Sequence, residues 1–387
     1  MPWKETCAMK QRIDLIEDWL SQRWNKTELA IKYGVSRPTV NKWINRFKVH
    51  GYSGLEEHSR RPKTSPNQTP SWKEELIIEA KKDFLNWGPK KVRDYLIRTN
   101  PEQNWPVDST VGAILKRNGL VKPKRRKGRV SVYPKHLTNS EYPCHVWNID
   151  FKGDRKLGSG QRCYPLTISD DFTRYLLCCK GLESTSKRPV KECLEMAFYE
   201  YGIPEVIKSD NGVPFASKSI GGLSKLAVWL IQLGVTPERI DKGKPTQNSR
   251  HERLHKTLQQ ETMDSMKYSM GAQQAEFDKF KYEYNELRSH ESLNRQPPAC
   301  VFKNSQVEYL GKVNPIEYDV GSYIRKVKPS GEIKWKGQDI YLGQVLSGEH
   351  VGLKPTENDR YEIYYSFLHI GYLNDRIGKI ESIKSRT

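Results

Sequence analysis

The sequence predicts three successive architectures in one chain: all-α helix-turn-helix modules at the N-terminus, a central α/β core, and a small C-terminal β-barrel. Apolar residues at helical spacing dominate residues 12 to 117, and period-two stretches interleaved with helical stripes follow. After Pro297-Pro298 the chain becomes rich in Tyr, Ile, Val and Gly, with turn signals at Pro329-Ser330-Gly331, Lys336-Gly337 and Ser347-Gly348. Its 387 residues suffice for several separate cores.

The first helix centres on Ile13, Ile16 and Leu20. Thr27 to Tyr33 give a second, Gly34 a turn, and Ser36 caps a third that runs through Phe47. Ala30, Val35, Val40 and Ile44 are the expected interior, which leaves Arg37, Thr39, Asn41, Lys42 and Asn45 for the major groove. This domain is placed at 1–58. A polar linker over 59–71 carries prolines at 62, 66 and 70, and its Arg60-Arg61 pair suits a DNA groove.

A second helical unit spans 72–121. Lys73 to Asn86 form a helix, Trp87-Gly88-Pro89 break it, Lys90 to Thr99 form another, and Asp108 caps a third bearing Val111, Ile114 and Leu115. One reading is a second helix-turn-helix with Ser109, Thr110, Lys116 and Arg117 on its DNA face; the other is a structural arm between domains. Over 122–142 follows a basic linker whose Lys122, Lys124, Arg125, Arg126, Lys127 and Arg129, interrupted by Pro123 and Gly128, suit phosphate tracking better than a regular helix. Residues 1 to 137 hold 29 Lys and Arg against 14 Asp and Glu, so +15 of the formal net charge of +19 precedes the core. An extended polyanion is the expected partner, bound with steep salt dependence.

The core is placed at 143–305, with strands at 146–151, 162–168, 174–180 and 205–209. In the first strand Trp147, Ile149 and Phe151 share one face, so Asp150 points away from them. Asp210 follows Val206-Ile207 and precedes Asn211-Gly212, at the end of a strand where the chain turns. Glu252 lies on a helix, with Asn248, His255 and Lys256 on its side and Leu254 and Leu258 as the buried stripe. A lone Asp at a strand end is usually a turn residue, and a lone Glu on an amphipathic helix is usually solvated. Three such acids in strand, strand-end and helix context could meet around a metal ion. Asp170 and Asp171 are left out, because hairpin-turn chemistry explains them. Ser186 is expected to cap a helix with a Val190, Leu194, Ala197, Phe198 and Tyr201 stripe, Leu223, Leu226, Ala227 and Leu230 form another, and the Val213 to Gly222 loop is expected to be mobile.

The ordered set Trp147-x-x-Asp150, Asp170-Asp171-Phe172-Thr173-Arg174-Tyr175, Ser209-Asp210-Asn211-Gly212, Asn248-x-x-x-Glu252-Arg253 and Tyr284-Asn285-x-x-Arg288-x-His290 resembles the integrase-like DDE transposases of bacterial insertion sequences. The resemblance implies a ribonuclease-H-like core in which Asp150, Asp210 and Glu252 bind two Mg²⁺ ions, with Mn²⁺ as a substitute, for phosphoryl transfer on DNA. It also implies contact of Asn248 and Lys256 with DNA, and a C-terminal domain, here 315–380, of barrel type. Hard oxygen-preferring ions suit such an acid set, and acids that only hold metal need no shifted pKa. Glu252 follows Asp210 by 42 positions, longer than is commonest in the family, so Glu238 and Glu261 are rival third ligands. Lys256 is read equally as a DNA contact or as a helix-stabilising partner of Glu252. His251 and His255 are read as packed or hydrated, with support of a metal-bound acid as the other role. They lack the cysteines of a zinc site.

The resulting reading is a DNA transposase that binds the terminal repeats of its element, cleaves at the 3′ ends and joins them to target DNA as an oligomer, at least a dimer. Alternatives are a phage- or retroviral-type integrase, or a repressor or targeting protein with a silent nuclease fold. No stretch approaches the length of a membrane span, and the expected location is cytoplasmic and nucleoid-associated. The seven cysteines lack Cys-x-x-Cys spacing and read as reduced packing residues, among them Cys163, Cys178, Cys179 and Cys193.

Overall fold

The computed structural model describes residues 7–57, 68–121, 137–217, 219–240, 249–313, 315–356 and 359–382. The chain divides into two compact units, Met1–Gln68 and Thr69–Thr387. Arg60, Arg61, Lys122, Lys124, Arg125, Arg126, Lys127, Arg129 and Asn248 lie outside the described residues, as does most of both expected linkers.

In the first unit, α1 (Ala8–Leu20), α2 (Lys26–Lys32) and α3 (Arg37–His50) are followed by a 3-10 turn at Gly51–Leu55. Asn25 starts α2 with a capping box, accepting from the Thr27 and Glu28 amides while Glu28 accepts from the Asn25 amide. Ser36 caps α3. Leu15, Ile16, Leu29, Ala30, Val40, Trp43, Ile44 and Leu55 form the core. Leu20 is exposed instead, because α1 turns its Leu15 and Ile16 inward.

The second unit begins with α4 (Ser71–Asp83), α5 (Pro89–Thr99) and α6 (Asp108–Arg117), packed around Ile77, Trp87, Val92, Leu96, Trp105, Val111, Ile114 and Leu115. Asp108 does not cap α6. The cap position falls on Val107, and the Asp108 carboxylate is drawn to Arg295 instead, with contacts of 2.9 and 3.1 Å. Likewise the Ser186 hydroxyl binds Ser184 and makes no capping bond.

The α/β core is built on β1 (Val146–Phe151), β2 (Arg155–Lys156), β3 (Arg162–Asp170), β4 (Leu176–Leu182), β5 (Val206–Ser209) and β6 (Thr236–Arg239). Antiparallel pairing joins β4 to β3 and β3 to β1; parallel pairing joins β1 to β5 and β5 to β6. On one face α7 (Lys187–Tyr201) and α8 (Lys225–Gln232) cover Trp147, Ile149, Leu166, Ile168 and Leu177. On the other, α9 (Ser249–Leu258) and α10 (Met270–Tyr282) cover Cys163, Leu176 and Cys179. The period-two pattern of β1 thus sends its aromatic face to α7 and α8.

The helix α8 is apolar nearly all round and is buried on two sides. Leu226, Trp229 and Leu230 join the core, whereas Ala227, Val228 and Ile231 join the C-terminal domain. That domain contains β7 (Tyr323–Lys326), β8 (Glu332–Trp335), β9 (Gln338–Tyr341), β10 (His350–Pro355), β11 (Arg360–Tyr365), β12 (Leu368–Asn374) and β13 (Lys379–Ser382). Its sheet, β13-β12-β11-β10-β7, is antiparallel and open, with β8 and β9 as a separate hairpin. The expected antiparallel strands are present, but no ladder among the described residues closes a barrel. Turn signals encode hairpins, whereas closure depends on the pairing of first and last strands. Within the described residues of the Val213 to Gly222 segment, Phe215 is buried in the core, Ile220 packs on the C-terminal domain and Val213 is exposed.

Candidate active site

Asp150 ends the alternating part of β1, opposite Thr167 of β3 in the antiparallel register. Asp210 directly follows the parallel neighbour β5, and Glu252 sits in the first turn of α9. The Asp210 carboxylate turns back to accept from the Gly212 amide at 2.9 Å, and a Cβ at position 212 would stand 2.9 Å from its other oxygen. A side chain at 212 would push that carboxylate out of its present setting. Burial first, and then the Asp210 carboxylate, push the Asp150 carboxyl up to about 7; Glu252 acts in the same direction, and the Phe151 amide and Lys152 oppose them. The Asp150 side chain is nonetheless still 20% exposed.

The rival ligands are engaged elsewhere. Glu238 on β6 accepts from the Thr138 amide and hydroxyl, and Glu261 pairs with Arg288. Asp170 binds the Thr173 and Cys144 amides, closing the turn as expected. Asp171 holds Asn148 at 2.9 Å and Arg250 at 2.7 Å.

His251 and His255 are buried under the Asp150 carboxylate. Both Nε2 atoms lie 2.7 Å from the Thr167 hydroxyl, His251 Nδ1 lies 2.9 Å from Ser169 Oγ, and His255 Nδ1 lies 3.7 Å from Asp150 Oδ2. Burial lowers both rings, His251 to about 4 and His255 to about 2, so both are neutral. Asp150, His251 and His255 are close enough to share a cation. Three of their four ring nitrogens, however, are already bonded to hydroxyls, and the fourth, His255 Nδ1, faces Asp150. Sequence reasoning missed Thr167 and Ser169, since only the register of β3 against β1 brings them here.

On the prospective DNA faces, Arg37, Lys42 and Asn45 are exposed along α3 and Thr39 and Asn41 are half-buried beside them. On α6, Ser109, Lys116 and Arg117 are exposed and Thr110 is half-buried; Arg117 is tied to Glu74 at 2.6 Å. Lys256 is exposed and forms no ion pair with Glu252. In the C-terminal domain Lys328 and Lys336 are paired with Asp339 and Asp375, leaving Lys326 and Lys334 as exposed basic residues.

Residues 141–245 and 233–298 match integrase core domain families, 11–63 a helix-turn-helix domain, 39–115 a homeodomain-like domain, and 322–380 the C-terminal domain of IS481 family transposases. A 31.7 kDa protein of insertion element IS407 from Burkholderia multivorans is 30% identical over 225 residues, covering 58% of this chain and 78% of that one. The chain belongs to the insertion-sequence transposases with an integrase-like core. A 39.2 kDa protein of element IS476 from Xanthomonas euvesicatoria is 25% identical over 273 residues, 70% of this transposase and 75% of its relative. The catalytic core domain of HTLV-2 integrase, solved with magnesium, aligns at 14% identity and a TM-score of 0.31 over 42% of the transposase and 99% of that domain. An integrase core implies polynucleotidyl transfer, and the helix-turn-helix domains imply DNA as partner. No described helix of the transposase is long and apolar enough to cross a membrane.

Proposed function

We propose that this transposase binds the terminal repeats of its element, cleaves at their 3′ ends and joins the freed ends to target DNA, using Asp150, Asp210 and Glu252. The observation that carries the reading is the placement of the three acids: the parallel register of Ile149 with Ser209 sets Asp150 beside Asp210 at the ends of β1 and β5, and α9, which carries Glu252, packs on the same sheet. Carboxylates drawn together without a counter-cation disfavour their own ionisation, and an oxygen-preferring dication relieves that cost. The donor set therefore fits Mg²⁺, with Mn²⁺ as a substitute. When bound, such ions activate the attacking oxygen and stabilise the leaving one.

The chain's own residues do the rest. The three acids stay ionised and fix the reacting phosphate beside them, and Lys256, exposed one turn beyond Glu252, holds the DNA end. Arg37, Thr39, Asn41, Lys42 and Asn45 read the repeat through α3, and Ser109, Thr110, Lys116 and Arg117 through α6. Arg60, Arg61, Lys124, Arg125, Arg126, Lys127 and Asn248 add phosphate contacts. Two ends must meet for joining, so the working form on DNA is at least a dimer. The test uses DNA from both ends of the element and a plasmid target, with and without Mg²⁺. Metal-dependent 3′ cleavage and joining by the wild type, lost in Asp150→Asn with DNA binding intact, is the expected result. Joining by Asp150→Asn at the wild-type rate would rule the site out.

A further inference from the structure

Beneath Asp150 lies a set of contacts that hydrogen counting constrains. The Thr167 hydroxyl has one proton and touches three acceptors or donors: His251 Nε2 and His255 Nε2, each at 2.7 Å, and the Asp150 carbonyl at 3.2 Å. One proton cannot serve both rings, so at least one of the two Nε2 atoms carries hydrogen and donates to Thr167. The tautomers of the two imidazoles are therefore not independent.

Two arrangements remain for the shorter contacts. If Thr167 donates to His251, or to the carbonyl, His255 must donate from Nε2, and its bare Nδ1 lone pair then faces Asp150 Oδ2 at 3.7 Å. An ionised carboxylate is repelled by that lone pair. If Thr167 donates to His255 instead, His255 carries its proton on Nδ1 and points it at Asp150. His251 then donates from Nε2 to Thr167, and its Nδ1 accepts from Ser169 at 2.9 Å. Both rings and both hydroxyls are satisfied in this second arrangement, at the cost of the longer contact to the Asp150 carbonyl, and a carboxylate at Asp150 favours it.

We infer that Thr167 is a positioning residue for catalysis: a directed chain, Ser169 to His251 to Thr167 to His255, ends in an Nδ1–H pointed toward Asp150 Oδ2 at 3.7 Å, an electrostatic contact longer than a hydrogen bond that favours one setting of that carboxylate. Metal-site carboxylates and imidazoles are commonly fixed in this way by groups that do not touch the ion. Both histidines sit in the helix that carries Glu252, so the same chain ties α9 to β1 and β3 and sets the approach of two of the three acids.

The inference rests on the assignment of Asp150 to the metal site. The experiment labels the imidazole nitrogens of the full chain with ¹⁵N and reads their tautomers by long-range ¹⁵N–¹H correlation with Mg²⁺ present, assigning the peaks with single histidine substitutions. His255 is expected to carry its proton on Nδ1 and His251 on Nε2. Thr167→Val, which keeps the β-branched shape in β3, is expected to abolish the Nδ1 preference of His255 and to raise the Mg²⁺ concentration for half-maximal strand cleavage about tenfold. Thr167→Ser restores both. A wild-type His255 protonated on Nε2, or an unchanged Mg²⁺ midpoint in Thr167→Val, overturns the inference while leaving the acid site standing. Strand transfer by Asp150→Asn overturns both.

Discussion

The two helical modules ahead of the core have similar size and helix number, yet they are stabilised by different means. In the α1–α3 unit the ends of α2 and α3 are closed by side chains, Asn25 with its capping box and Ser36. In the α4–α6 module the cap positions fall on Pro70, Gly88 and Val107, and none makes a side-chain capping bond. Its compensation is tertiary. Arg295 reaches Asp94 at 2.7 Å and Asp108 at 2.9 Å, Ser289 donates to Asp94 at 2.7 Å, Lys90 meets Glu291 at 2.5 Å, and Arg98 binds the Leu287 carbonyl. Arg288 also lies over the Trp87 ring, and Leu287 packs on the module's core. A module that folds as its own unit needs local signals at its helix ends, whereas one seated on a neighbour takes its stability from the seam. The 72–121 module is thus an arm fixed to the core, with Ser109 and Lys116 exposed on α6.

The sharpest way to break this comparison is Arg295→Ala. Asp94 keeps only 8% of its side chain exposed, so removing its cationic partner leaves a buried carboxylate short of a counter-charge. Breaking such a pair costs about 3 kcal/mol. Hydrogen exchange should accelerate across 71–117 and the 284–296 segment, with 8–55 unchanged. Equal acceleration in both modules would refute the division.

What the sequence revealed follows the same divide. The helices of the first unit, the β1 bounds and the strand, strand-end and helix positions of Asp150, Asp210 and Glu252 are legible because caps, alternation and motif context are local. The seam is not: Arg295 is an ordinary arginine after Asn294, and nothing in the sequence pairs it with residues nearly two hundred positions earlier. The Asp108 error has that cause, since an acid at a helix start reads as a cap until a distant guanidinium claims it. Thr167 was invisible for a related reason, because its importance depends on the register of two strands. The second face of α8 was visible only as excess hydrophobicity; that signal could have announced the packed C-terminal domain.

A pH titration probes the seam less forcefully. His290 lies there with Nε2 unpartnered, its ring 5.0 Å from Tyr284. Burial first, and then Lys91 of α5 with Arg288, Arg174 and Arg253, lower it to about 3. The unfolded chain takes up this proton near pH 6.5, so the histidine's contribution is complete above that pH and is lost as the pH falls from about 6.5 toward 3. The loss is at most about 1.4 kcal/mol per pH unit. His251 and His255 add losses of the same sign, so the quantity to measure is wild type minus His290→Gln by denaturant unfolding. A difference that stays flat between pH 7 and 5 would place His290 in water.

The smallest effect tests the other side of the comparison. Asn25→Ala removes the side-chain oxygen that accepts from the Thr27 and Glu28 amides, while the Glu28 side chain keeps its bond to the amide of position 25. The cost is about 1 kcal/mol. In a unit of this size, whose core is eight buried residues, that is a large share of the available stability. Hydrogen exchange should therefore rise throughout 8–55 and stay unchanged across 71–117. Replacing Gly88, at the α5 cap position, with Ser offers a smaller gain of a few tenths of a kcal/mol in the other module, since glycine has no side chain to supply a capping bond. If Asn25→Ala has no measurable effect on the first unit, local capping is not what lets that unit stand alone, and its stability must come from the Trp43 packing under Arg12 at 4.1 Å.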